Sequence, residues 1–127
     1  MARSQPRPTD AELSILRVLW ERGASTVRQV HEALAETRDT GYTTTLKLMQ
    51  IMADKGLVRR NETARTHIYS AIAGQEQTQR QLVQDLVDRA FGGSAAQLVL
   101  RALSADGTTD DELKAIRKLI DDYREKR

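Results

Sequence analysis

Residues 9–72 constrain this chain most. Three short amphipathic segments, each closed by a cap or a glycine, run directly into two strand-like stretches. Thr9-Asp10-Ala11-Glu12 has the form of a capping box, in which the hydroxyl takes an orphan N–H and Glu12 reaches back. Leu13, Leu16, Leu19 and Trp20 follow at helical spacing, widened by Ile15 and Val18, and Gly23 is a natural stop after Arg22. A second helix, capped by Ser25 or Thr26, carries Val27, Val30, Ala33 and Leu34 on one stripe. The polar run from Thr37 to Gly41 breaks it. A third helix starts at Thr43 and ends at Lys55-Gly56. Leu57 to Arg60 and Thr66 to Ile72 then have strand composition, with the polar run Asn61-Glu62-Thr63-Ala64-Arg65 between them.

From Gly74 onward the pattern is purely helical. Gln75 to Phe91 carries Leu82, Val83, Leu86, Val87, Ala90 and Phe91, and Gly92-Gly93 interrupts it. Ser94 caps a segment, Ala95 to Leu103, that is apolar on almost every side except at Gln97 and Arg101. Asp106-Gly107 reads as a turn. Thr108 or Thr109 opens a last helix with Asp110, Asp111 and Glu112 at its positive pole and a stripe of Leu113, Ile116, Ile120 and Tyr123.

The expected fold class is therefore mainly α with a small β-hairpin wing. A flexible arm (1–8) precedes a winged helix-turn-helix (9–73), and a three-helix dimerisation domain (74–127) follows. A helical piece this short cannot easily surround a helix that is apolar all round. A second copy can, through Leu82, Leu86, Phe91, Leu98, Leu100, Leu103, Leu113, Ile116 and Ile120. The competing arrangement packs that helix into the first module.

Charge and composition narrow the partners. The net charge of +2 conceals a split, with 11 Lys/Arg against 8 Asp/Glu in residues 1–72 and 9 against 10 in residues 73–127. Such a balance permits a nucleic-acid partner for the first half. The absence of cysteine excludes disulfides and thiolate metal sites. No apolar run approaches the ~20 residues of a membrane span. Residues 1–10 have no apolar signal core. The expectation is a cytoplasmic protein with no cofactor, no metal and no membrane binding.

The third helix is the candidate reader. On a wheel of about 100° per residue, Met49 and Met52 fall within about 40° of Thr45 and face inward. Thr43, Lys47 and Gln50 fall opposite, with Leu46 flanking and Thr44 near the N-terminus. Gln50 suits adenine, Lys47 suits guanine or phosphate, and threonine methyls suit thymine. Thr43 and Thr44 also sit where a helix N-terminus binds phosphate. Arg59, Arg60 and Arg65 on the hairpin, and Arg28 on the second helix, are candidate phosphate contacts, although one hairpin arginine has Glu62 as an alternative partner.

Several strings carry a family resemblance. Pro8-Thr9-Asp10-Ala11-Glu12-Leu13, Val18-Leu19-Trp20, Thr26-Val27-Arg28-Gln29-Val30, Tyr42-Thr43-Thr44, Lys55-Gly56-Leu57-Val58 and Phe91-Gly92-Gly93-Ser94-Ala95-Ala96 together resemble the BlaI/MecI/CopY family of bacterial repressors. The resemblance implies a cytoplasmic homodimer that binds a dyad-symmetric operator and is released by a signal acting on the C-terminal domain, with a membrane sensor or protease upstream. It maps the family's DNA-contacting positions to Thr43, Thr44, Leu46 and Lys47, and a cleavage or induction region to Gly92, Gly93, Ser94 and Ala95. Three departures stand out. The C-terminal cysteines of the copper-sensing branch are missing. The Asn-Phe pair cut in the β-lactam branch is also absent. Ile51 stands where many relatives place Arg.

Catalysis finds little support. His31 and His67 are the only histidines and form no zinc-protease motif. Asp110-Asp111 and Asp121-Asp122 are adjacent pairs that do not share a helix face. The function that competes with repression is a winged helix used as a protein-interaction scaffold, since fold does not fix function.

Overall fold

The computed structural model describes residues 7–104 and 107–127. Most of the expected arm, residues 1–6, and the first half of the expected Asp106-Gly107 turn lie outside the described residues. The element order is α1 (Asp10–Arg22), α2 (Val27–Ala35), α3 (Tyr42–Lys55), β1 (Val58–Asn61), β2 (Ile68–Ala71), α4 (Gln75–Ala90), α5 (Ala95–Ser104) and α6 (Asp110–Glu125). The chain divides between Arg80 and Gln81 into two compact units.

Local chemistry sets the ends of the first helices. At α1 the Thr9 hydroxyl accepts from the Glu12 N–H (3.2 Å), and Glu12 Oε1 accepts from the Thr9 N–H (2.9 Å). At α2 Thr26 and Gln29 repeat the arrangement at 3.1 and 2.9 Å. Thr26, not Ser25, is thus the cap. Ser25 instead exchanges two backbone hydrogen bonds with Tyr69 (2.9 and 2.8 Å), adding a one-residue bridge beside β2. Gly56 ends α3 at φ +84°, a left-handed conformation that a side chain would strain. The third helix begins one residue earlier than the sequence indicates, at Tyr42.

The hairpin pairs Val58 with Ala71, Arg59 with Ser70, Arg60 with Tyr69 and Asn61 with Ile68, antiparallel. Its strands are shorter than their composition suggests, and His67 lies just outside β2. Asn61 Oδ1 accepts from the Thr63 N–H (3.0 Å) and hydroxyl (2.7 Å), ending β1 in an Asx-type turn.

The first unit's core joins Ile15, Leu16 and Leu19 of α1, Val27, Val30 and Leu34 of α2, and Met49 and Met52 of α3. Leu57, Val58, Tyr69 and Ala73 complete it from the hairpin side. The wing is anchored by backbone bonds from Ile72 and Ala73 N–H to Leu57 C=O, and by Trp20 Nε1 donating to Ala73 C=O at 2.8 Å. These contacts fix α3 relative to the hairpin.

The second unit is different. Among the described residues, Val87 is its one buried apolar side chain, and neither α5 nor α6 buries any. Leu82, Phe91, Leu98 and Ile116 are half-buried. Leu86, Leu100, Leu103, Leu113 and Ile120 are exposed. Gly92 and Gly93, at φ +57° and +84°, turn the chain from α4 into α5, and Ser94 caps α5 through Gln97 N–H at 3.2 Å.

Candidate nucleic-acid interface

The face of α3 opposite the core presents Thr43, Thr44, Lys47 and Gln50 to solvent, while Thr45, Met49 and Met52 are fully buried. Leu46 is half-buried and packs against the core cluster, so only part of it faces outward. The first turn of α3 contains no acidic residue, and its N-cap, Gly41, offers no side chain. By contrast, α1 and α6 both carry acids in the first turn and a capping threonine. The positive pole of α3 is therefore not offset by a first-turn carboxylate, which leaves it favourable to an anion.

A groove of about 420 Å³ runs beside this helix, lined by Val27, Arg28, Tyr42, Leu46, Gln50, Arg60, Arg65, Thr66, His67 and Tyr69. It brings three of the four candidate arginines together with Gln50 and Leu46. Thr43, Thr44 and Lys47 are not among its lining residues, and neither is Arg59. Arg59 lines a second hollow with Ala53, Asp54, Val58 and Ile72, which Arg60 and Glu62 border as well.

Arg60 is already engaged within the chain. It pairs with Tyr69 across the hairpin, and its Nε lies 2.7 Å from Glu62 Oε1. These two partners, Tyr69 first, push its pKa above the ordinary arginine value. Glu62 is thus the internal partner foreseen for one hairpin arginine. Arg28 is placed by an aromatic ring, with its Cζ 5.7 Å from the Tyr42 centroid. Tyr42 in turn meets His31 edge-to-face at 5.7 Å and 84°. The sequence singled out neither Tyr42 as a partner of Arg28 nor His67 as a lining residue. The first joins two different helices, so no local spacing signals it.

Behind the interface, buried Glu12 Oε1 accepts from Lys55 Nζ at 2.6 Å. Burial alone raises the carboxyl's pKa. The Lys55 hydrogen bond, the Thr9 N–H and the Lys55 charge outweigh it, and the group sits below its usual value. The pair ties the start of α1 to the end of α3.

The family model described as penicillinase repressor matches residues 8–122. The chain belongs to the penicillinase repressor family. A transcriptional regulator BlaI of Mycobacterium tuberculosis is 33% identical over 112 residues, covering 87% of this chain and 80% of that protein. The penicillinase repressor of Bacillus licheniformis is 18% identical over 122 residues, covering 96% and 95%. Members of the family are transcriptional regulators rather than enzymes. Among solved structures, the DNA-binding domain of the repressor BlaI aligns at a TM-score of 0.52 and 20% identity, over 60% of this chain and 93% of that one. The monomeric form of Bacillus licheniformis BlaI in complex with the blaP half-operator gives the same values. This likeness establishes the winged-helix fold of the first unit. Among the described residues no helix is long and apolar enough to cross a membrane, and no acidic or histidine cluster suits a metal.

Proposed function

We propose that the chain is a cytoplasmic transcriptional repressor that binds double-stranded DNA as a homodimer on a dyad-symmetric operator. In this reading residues 9–73 read DNA and residues 74–127 dimerise. The observation that carries it is the conjunction of an exposed Thr43/Thr44/Lys47/Gln50 face, an uncompensated α3 N-terminus and an arginine-lined groove on one side of α3. Thr43, Thr44, Lys47 and Gln50, with the outward part of Leu46, enter the major groove. Arg28, Arg59, Arg60 and Arg65 meet phosphates on either flank. Family membership supports the repressor role, and the monomeric relative on a half-operator suggests one protomer per half-site.

Release follows from linkage. Two readers held at fixed spacing bind with a high effective concentration, so any signal that separates the C-terminal helices weakens operator binding steeply. The Gly92-Gly93 junction before Ser94 and Ala95 is where we place that signal, delivered by a sensor or protease upstream.

Footprinting on the DNA upstream of the chain's own coding region tests the whole reading. Two protected half-sites about one helical turn apart are expected. The affinity should fall with salt at a log–log slope of about −0.9 per phosphate neutralised. No retention on duplex at low salt means the scaffold reading is right. A Lys47→Ala/Gln50→Ala variant should remain dimeric and lose operator preference over random duplex. Unchanged discrimination means that α3 is not the reader.

A further inference from the structure

Arg28, His31 and Tyr42 form a stack that the reading of DNA by the α3 face does not use. Arg28 and His31 share a face of α2, and Tyr42 is the first residue of α3. The His31 Nδ1 is buried without a hydrogen-bond partner, so packing rather than a polar bond holds the imidazole on that side. Near-perpendicular rings at this separation attract one another, edge to face. Tyr42 is therefore steadied from within α2 while remaining 42% exposed at the mouth of the groove. The guanidinium of Arg28 lies within cation–π distance of that ring.

Position argues that Tyr42 works through Arg28. On the α3 wheel it lies about 140° from Lys47 but about 40° from Leu46, on the groove side that Arg28 also lines. An exposed arginine otherwise samples many rotamers, and ordering it on a phosphate costs that freedom. A ring that already confines the guanidinium removes part of the cost and leaves its N–H fork available to two phosphate oxygens. Arg60, which lines the same groove, is instead held by Glu62 at 2.7 Å.

We propose that Tyr42 is a positioning residue for DNA binding: its ring, steadied by His31, holds the Arg28 guanidinium where a backbone phosphodiester of one strand reaches the groove. This rests on the DNA-binding reading above.

The experiment is a double-mutant cycle on the full-length chain. The probe is a random-sequence duplex of a few helical turns, read by fluorescence anisotropy at low salt, because phosphate contacts carry no sequence information. Tyr42→Leu should weaken binding about fivefold, or about 1 kcal/mol. Tyr42→Phe, which keeps the ring, should match the wild type. In an Arg28→Ala background, Tyr42→Leu should cost nothing further. An unaltered Tyr42→Leu affinity, or the same loss with and without Arg28, overturns the assignment. Thermal melts check folding. If Tyr42→Leu does not fold, Arg28→Lys carries the test: it keeps the charge but not the planar stack, and wild-type affinity there overturns the proposal. A wild-type chain that retains no duplex defeats the DNA-binding reading, a result distinct from wild-type binding that Tyr42→Leu leaves untouched.

Discussion

At the scale of single residues, Glu12 shows how one side chain can serve two levels of structure. Its Oε1 closes the capping box on the Thr9 N–H and also receives Lys55 Nζ from the far end of α3. The first role is written in Thr9-Asp10-Ala11-Glu12. The second joins residues 43 positions apart and has no local signature. Lys55→Met should leave the buried carboxylate with only its backbone donor, at a cost of about 1–3 kcal/mol in chemical unfolding. The pH dependence has a definite sign. The folded pKa of Glu12 lies below its ordinary value. Its contribution is therefore full above the unfolded pKa of about 4.3 and is lost as pH falls through the lower, folded value. Urea melts across that acid range should show this stability step. In Lys55→Met it should shrink and move to higher pH; an identical profile would mean the ion pair does not set the carboxyl's pKa.

At the scale of elements, what was legible follows from how local each signal is. The caps of α1 and α2, the stop at Gly56 and the inward positions Thr45, Met49 and Met52 all depend on a few adjacent residues, and the structure has each of them. The strand ends were less legible. Thr66, His67 and Ile72 have strand composition, yet pairing stops at Ile68, where Asn61 turns the chain after β1, and at Ala71, beyond which the Ile72 and Ala73 N–H groups share the Leu57 C=O. The Ser25–Tyr69 bridge was invisible, since it joins segments far apart in sequence. At the interface the residue types were legible, but which ones meet was not. Arg60 turned toward Glu62, and Arg59 lines the hollow beside Ala53 and Asp54 instead of the groove that holds Gln50. A consequence for α3 follows. Met49 is fully buried within the core, and Met49→Ala should cost about 2–5 kcal/mol through lost burial and the cavity left behind. Thr43→Ala, on the exposed face, should leave stability within about 0.5 kcal/mol. Denaturant midpoints of the two variants compare them directly, and similar losses would mean that the inward and outward faces of α3 have been exchanged.

At the scale of the whole molecule, the two units contrast in what their apolar side chains do. The first encloses a dozen core residues, whereas α5 and α6 bury none and expose Leu100, Leu103, Leu113, Leu119, Ile120 and Tyr123. Exposed leucine and isoleucine side chains are each worth about 1.5–3 kcal/mol if fully withdrawn from water. In the proposed homodimer a twofold arrangement would withdraw such a surface from water on both copies at once. Leu100 is the most informative place to test this, because it is 49% exposed in the protomer and so can be changed without opening a core. If the proposed dimer forms through α5, Leu100→Asp should put a carboxylate in its interface and convert the chain to folded monomers in sedimentation experiments. Its melting temperature should stop depending on protein concentration, as expected when association no longer stabilises the fold. Operator affinity should fall far more than affinity for random duplex, because the loss is one of effective concentration rather than of any DNA contact. A Leu100→Asp variant that sediments as a dimer would remove α5 from the interface. Monomers that still hold the full operator with wild-type affinity would separate repression from dimerisation altogether.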